Sequence, residues 1–189
     1  MSNLFLRFKN IFTSDQYIIP KGEWRSIENI SPYLVKAVLA AEDQRFMVHS
    51  GFDFREMYRA VRDYLSGGKA RGASTITMQT ARTVFLWRDR SMTRKIAEAY
   101  YTVLIEFVMP KKRIMEMYLN TVYWGSGIRG AEAASKKYFY KSASELTAEE
   151  AALLAAILRG PHSWSPVNPD EYITALQKRI LKDMERMHL

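Results

Sequence analysis

The stretch 31-SPYLVKAVLAAEDQRFMVHSG-51 decides the class of the fold. Ser31 followed by Pro32 reads as an N-cap and a first helical position. Val35, Val38 and Leu39 then recur at helical spacing, and Phe46 continues the series. Positions 35, 38, 39, 42 and 46 fall on one face, which predicts a helix from about Pro32 to Phe46. Glu42 lies in the middle of that apolar stripe. A carboxylate there is paired, or solvated where the helix turns its face, or it lines a cleft where poor solvation raises its pKa. The last case is what a general acid or base at neutral pH requires.

Outward from this stretch the chain reads as helix after helix. Asp53 with Glu56 resembles a capping box and opens a helix through Tyr64 that stops at Gly67-Gly68. The basic loop 67-GGKARGAS-74 leads to a helix capped by Ser74 and running to about Trp87. Another is expected from Ser91 to Met109, with Ile96, Tyr100, Val103, Leu104 and Phe107 as its buried stripe, ended by Pro110. Helices over 111–123, closed by 125-GSG-127, over 130–139, and over 148–159 behind the capping box Thr147/Glu150 complete the series. A loop with three prolines, 160-GPHSWSPVNP-169, precedes a last amphipathic helix. Strand signals are weak, so the fold is expected to be mostly α, without a linker that divides it.

The 189 residues suit one domain or one domain with two lobes, and 48% hydrophobic content supports a sizeable core. A formal charge of +8 favours an anionic partner: phosphate, acidic lipid surface or nucleic acid. The absence of cysteine excludes disulfides and thiolate metal sites. No run of about 18 apolar residues is present to span a membrane. The start, 1-MSNLFLRFKNIF-12, is too interrupted for a signal-peptide core; it either lies along a membrane surface or packs on the domain.

Three further segments need weighing, and two of them carry chemistry. In 71-RGASTITMQ-79 a glycine allows close backbone approach, Ser74 and Thr75 offer hydroxyls, and a helix N-terminus favours phosphate. Lys69, Arg71 and Arg82 supply cations nearby. In 90-RSMTRKIAE-98, Arg90, Arg94 and Glu98 share a helical face with Lys95 beside them. They form a solvated face with an ordinary ion pair, or they stabilise a phosphate leaving group. The segment 112-KRIMEMYLNTVYWG-125 reads as scaffold, and His49 as a structural histidine rather than a metal ligand.

The ordered segments 42-EDQRFMVHSG-51, 72-GASTITMQ-79, 94-RKIAE-98, 112-KRIMEMYLNTVYWG-125 and 153-LLAAILRGPHSWSPVNP-169 resemble the peptidoglycan glycosyltransferase (transglycosylase) family. The resemblance covers about residues 28–170 and is to the monofunctional biosynthetic type, like the glycosyltransferase domain of class A penicillin-binding proteins. It implies a lysozyme-like, mostly α fold with a large helical lobe and a smaller membrane-facing lobe. It divides the chain into a membrane-proximal segment, 1–27, and the domain, 28–189. It implies polymerisation of lipid II into β-1,4 glycan strands, inverting at the donor carbon, with undecaprenyl pyrophosphate as leaving group. Glu42 is then the general base and Asp43 its support. Glu98 matches the second essential glutamate, which assists the donor site or holds a divalent metal, Mg²⁺ or Mn²⁺. Ser74, Thr75, Gln79, Arg82, Arg90, Arg94 and Lys95 match positions lining the donor phosphate site. No organic cofactor is implied. The implied partners are lipid II, the growing glycan strand, an anionic membrane surface and other cell-wall synthesis proteins, with no nucleic acid. The implied location is the outer face of the bacterial cytoplasmic membrane, although this chain shows neither anchor nor export signal.

The chain departs from the family's pattern at Met78, where many members have glutamine, and at Arg82 and Thr83, where a Lys-Asn pair is common. Arginine keeps the charge but not the shape of lysine. A lysozyme or lytic transglycosylase shares a helical, catalytic-glutamate plan. Cleavage of a sugar–sugar bond, however, needs no cluster like Arg90, Arg94 and Lys95. A non-enzymatic basic module explains the charge but not an acid pair inside an apolar stripe.

Overall fold

The computed structural model describes residues 24–68, 72–87 and 91–187. Among these residues there are eight α-helices and one short antiparallel hairpin, the mostly α class that the periodicity predicts. Helix α1 (Pro32–Glu42) begins as expected, but the Ser31 hydroxyl donates to the Leu146 carbonyl at 2.8 Å rather than capping the helix. The helix ends at Glu42, short of Phe46. Asp43 leaves helical geometry, and side chains satisfy the freed carbonyls: Gln44 donates to Ala40 and Arg159 to Ala41. Phe46 is buried nonetheless, from the turn that follows.

Helix α2 (Phe54–Leu65) is capped by Asp53, which accepts from the Glu56 amide. Helix α3 (Ile76–Phe85) is capped by Thr75 and not by Ser74, since the Thr75 hydroxyl reaches the Met78 amide. Ser91 caps α4 (Met92–Val108). Helix α5 (Lys111–Thr121) leads into strands β1 (Tyr123–Gly125) and β2 (Ile128–Arg129), with Tyr123 opposite Arg129. This hairpin replaces the plain glycine stop expected there. Gly125 is indispensable to it: at φ +93° an added Cβ would sit 2.2 Å from the Pro161 carbonyl oxygen. Helices α6 (Ala131–Phe139), α7 (Ala148–Ile157) and α8 (Glu171–Met184) follow, α7 behind the expected capping box.

The core is built around α7, which packs on both α1 and α8. Its Ala151, Ala152, Ala155 and Ala156 are buried and without bulk, so Leu34 and Val38 of α1 and Ile173 and Ile180 of α8 approach closely. A second layer sets α3 against α4 and α5. Segment 24–29 is strapped across α5: Trp24 Nε1 and the Ile27 amide donate to Glu116, and the Arg25 amide to Asn120. The expected membrane-proximal segment otherwise lies outside the described residues.

Helix α4 reverses the expectation for its faces. Ile96, Tyr100, Val103, Leu104 and Phe107 are exposed, whereas Glu98, Thr102 and Ile105 are buried. Periodicity locates two faces and does not orient them. The polar face turns inward because the α3 side of this layer supplies partners for it. Arg82 of α3 approaches Glu98, and Thr77 of α3 donates to Glu106.

Candidate active site

The two acids that end α1 are both held by α3. Gln79 Nε2 donates to Glu42 Oε2 at 2.7 Å. The backbone amide of Ile76, one turn earlier, donates to Asp43 Oδ2 at 3.0 Å. That amide is among those a helix N-terminus leaves unpaired, and an anion is favoured there by the helix dipole. Glu42 is half-buried and Asp43 buried. Among the described residues Gln79 is the hydrogen-bond partner of Glu42, which leaves Oε1 open to a substrate hydroxyl. Behind Gln79 lies Tyr118 of α5, whose hydroxyl is 3.5 Å from Gln79 Oε1, long for a hydrogen bond. Burial, and next the charge of Glu42, push the Tyr118 hydroxyl well above the ordinary phenol value, so it stays a neutral donor.

Three residues beyond Gln79, Arg82 shares its face of α3 and reaches toward Glu98, Nη1 to Oε2 3.9 Å. Glu98 is fully buried. Arg94 Nη1 lies 2.6 Å from Oε2 and Lys95 Nζ 2.8 Å from Oε1. Burial alone would raise the Glu98 pKa, but the hydrogen bonds from Lys95 and Arg94, with the charges of Lys95 and Arg82, bring it below the ordinary carboxylate value. The acid is therefore ionised, and three cations face one carboxylate, leaving the cluster net positive. The side chains of Lys95 and Arg82 are both partly exposed, 46% and 41%, which makes their charges available to an anion arriving from solvent.

The remaining candidates divide. The Thr75 hydroxyl is committed to the fold, donating to the Gly51 carbonyl and accepting from Met78. Ser74 is half-buried just ahead of the cap. Arg90, Lys69 and Arg71 lie outside the described residues. Gln79, read from sequence as a phosphate-site residue, sits on Glu42. His49 pairs with Asp43, Nε2 at 3.0 and 3.1 Å from its two oxygens. Sequence reading missed Tyr118 and the Arg159 contact beside the base. Both come from sequence-distant segments, and no periodic signal marks them.

Neither acidic group suits a divalent metal as arranged. Both oxygens of Glu98 carry cationic partners, and an incoming ion would have to displace them. Asp43, His49 and Asp53 bring one ligand atom each within 4.8 Å of one another. There too the places are taken: Arg45 Nη1 lies 2.7 Å from Asp53 Oδ1, and the Ile76 and Glu56 amides occupy Asp43 and Asp53. A guanidinium inside the group opposes a second cation.

A family model described as Transglycosylase matches residues 13–185. The biosynthetic peptidoglycan transglycosylase of Chromohalobacter salexigens is 48% identical over 176 residues, 93% of this chain and 75% of that protein. Those of Rhodospirillum centenum and Caulobacter vibrioides are 53% identical over 151 residues and 50% over 159. These alignments cover 79% and 84% of this chain, and 65% and 69% of the relatives. The mostly helical architecture agrees with the lysozyme-like fold that the resemblance implies. With its motifs, helices and nearly whole length in agreement, the chain belongs to the transglycosylase family and is an enzyme of the biosynthetic kind for which these relatives are named.

Proposed function

We propose that this chain polymerises lipid II into β-1,4 glycan strands, with Glu42 as general base. The observation that carries the reading is the pairing across one helix. Gln79 of α3 holds a half-buried carboxylate at the end of α1, and Arg82 on the same face meets a net-positive cluster around buried Glu98.

Glu42 takes the proton from the acceptor's 4-hydroxyl as that oxygen attacks the donor's anomeric carbon. The bond to the diphosphate breaks, configuration inverts, and undecaprenyl pyrophosphate leaves. Arg94, Lys95 and Arg82 stabilise the charge that develops on the leaving oxygen, as preorganised cations do in a water-poor cleft. Glu98 keeps these cations in place.

The exposed apolar faces support a membrane surface as the working location. Phe54, Tyr58, Val61 and Leu65 line α2, which buries none of its residues, and Ile96, Tyr100, Val103 and Phe107 line α4. With a formal charge of +8, such faces suit the surface of an anionic bilayer, where a lipid-linked substrate resides. No described helix is long and apolar enough to cross a membrane.

The test is polymerisation of labelled lipid II in detergent by the parent chain and by Glu42→Gln, beside an assay for cleavage of purified glycan strands. Polymer from the parent and none from the variant is the expected result. Equal polymer from both removes Glu42 from the role, and cleavage without polymerisation replaces the reading by a lytic one.

A further inference from the structure

We infer that Glu106, with Thr77 and Lys111, is a positioning group for the leaving-group side of the reaction: it fixes the register of α4, and so where Arg94 and Lys95 stand relative to Glu42. The inference rests on the reading of those cations as partners of the departing diphosphate.

Glu98, Thr102 and Glu106 recur every four residues and share the inward face of α4. Glu98 and Thr102 are fully buried, and the Thr102 hydroxyl donates to the Glu98 carbonyl at 2.7 Å. Glu106 continues this polar ladder. Its Oε1 accepts from the Thr77 hydroxyl of α3 at 2.5 Å and from Lys111 Nζ of α5 at 2.7 Å. Lys111 also lies over the buried Phe46 ring, 4.4 Å from its centroid. Gly51 meets the ladder at the other end of the same turn. A Cβ there would sit 2.7 Å from Thr102 Cγ2 and 3.0 Å from Glu106 Cγ. The turn that follows the base thus rests on Glu106 and its neighbours.

Two rungs join α3 to α4: Thr77 to Glu106, and Arg82 to Glu98. The second belongs to the cation cluster, whereas the first has no part in the chemistry. One rung leaves a helix free to pivot or slide about it; two do not. Apolar packing does little of this for α4. Of its buried residues only Ile105 is apolar, joined by the half-buried Tyr101 ring stacked on Phe85 at 4.9 Å. Such contact is non-directional and tolerates a shift that hydrogen bonds do not.

Stability alone does not account for the group. The Glu106 and Lys111 side chains are 10% and 19% exposed. Desolvating such a pair offsets much of its attraction, and apolar residues of similar volume often hold a fold as well or better. What the enclosed pair supplies is register, and the cations ride on the helix whose register it sets.

The experiment uses the full chain with Thr77→Val, Glu106→Met and Lys111→Met combined. The melting temperature is read, with kcat and KM on lipid II. The triple variant melts at or above the parent, yet its kcat falls about 10–100-fold, the scale of a misplacement of about 1 Å. KM stays within about threefold, because the loss is of transition-state stabilisation. Lys95→Met is then added to both proteins. Lys95 and Glu106 are eleven residues apart, about 16 Å along the helix, a separation at which independent effects add. Acting through register, the triple variant loses less kcat to Lys95→Met than the parent does.

Parental kcat in the triple variant overturns the inference, as does a loss confined to KM, or an equal cost of Lys95→Met in both proteins. A triple variant that folds but melts well below the parent also overturns it, since the group is then structural. Should the triple not fold, Thr77→Val alone removes the α3 rung; kcat falls there and Thr77→Ser restores it, and parental kcat in Thr77→Val overturns the inference. Lys95→Met without effect in the parent strikes the leaving-group reading, and the inference with it. Retained polymerisation by Glu42→Gln strikes only the base reading, and the coupling to Lys95 still tests the register.

Discussion

Gln79 Nε2 of α3 donates to Glu42 Oε2 at the end of α1 over 2.7 Å. A hydrogen bond to a charged group is worth about 1.5–3 kcal/mol, which corresponds to roughly 10–100-fold in rate if it acts in the transition state. Gln79→Leu is therefore expected to lower kcat by about that factor without unfolding the protein. Gln79→Glu sets a second carboxylate against the base, and like charges raise the pKa of one of the pair. The acid limb of its pH–rate profile should move upward, measured as kcat on lipid II against pH.

Arg94 sits against Glu98, which has no exposure to solvent. Arg94→Ala leaves that carboxylate to Lys95 and the more distant Arg82, and about 1–3 kcal/mol of stability should be lost, read as a fall in the denaturant midpoint. Arg94→Lys should recover only part of it, since a single ammonium does not reproduce the guanidinium fork. With the oxygens of Glu98 already occupied, Mn²⁺ titrations followed by paramagnetic resonance should give the same bound fraction for the parent and for Glu98→Gln.

Glu132 is buried between Arg25, Lys136 and the Ala143 amide. Burial would raise its pKa, but these partners hold it down at about 2, against an ordinary 4.5. The sign follows from linkage: a depressed carboxylate contributes stability that is full above the unfolded value and is lost as pH falls toward the folded one. The loss is on the order of 3 kcal/mol between about pH 5 and pH 2. The melting temperature should drop over that window in the parent, and the drop should be shallower in Glu132→Gln.

Phe107 is 86% exposed and Ile96 68% exposed on the outward face of α4. Replacing both with glutamate should leave the melting temperature nearly unchanged, because neither is part of the core. Partition onto anionic vesicles should fall at least about tenfold, since each side chain contributes roughly 1.5–3 kcal/mol when buried in an apolar phase. Sedimentation with vesicles measures it; equal partition of both proteins would remove α4 from the membrane-facing surface.

What the sequence discloses follows the range of the interaction. Caps at Asp53 and Thr147 involve residues three apart, and both stand in the structure as read. Ser74 and Thr75 are adjacent hydroxyls, and which of them caps α3 depends on Thr75 also reaching the Gly51 carbonyl, a contact from another segment. The orientation of α4 depends on α3, and the link of Gln79 to Glu42 spans two helices. The strap of Trp24 and Arg25 over α5 joins residues more than ninety positions apart. The resemblance pointed to Glu42, Asp43 and Glu98 together. That Asp43 clamps a helix, and that Glu98 is enclosed by cations, are facts of packing that no spacing encodes.

Helix α4 is inside out by the standard of a water-soluble protein, with its carboxylate in the core and its aromatics in the solvent. Selection for solubility or thermostability in a test tube would reward polar replacements at Ile96, Val103 and Phe107, and each would weaken the surface proposed above to rest on a bilayer. Selection in the cell would reward the opposite. A stabilised variant obtained without a bilayer is thus expected to be easier to purify and poorer at its work, a trade-off written into one face of one helix.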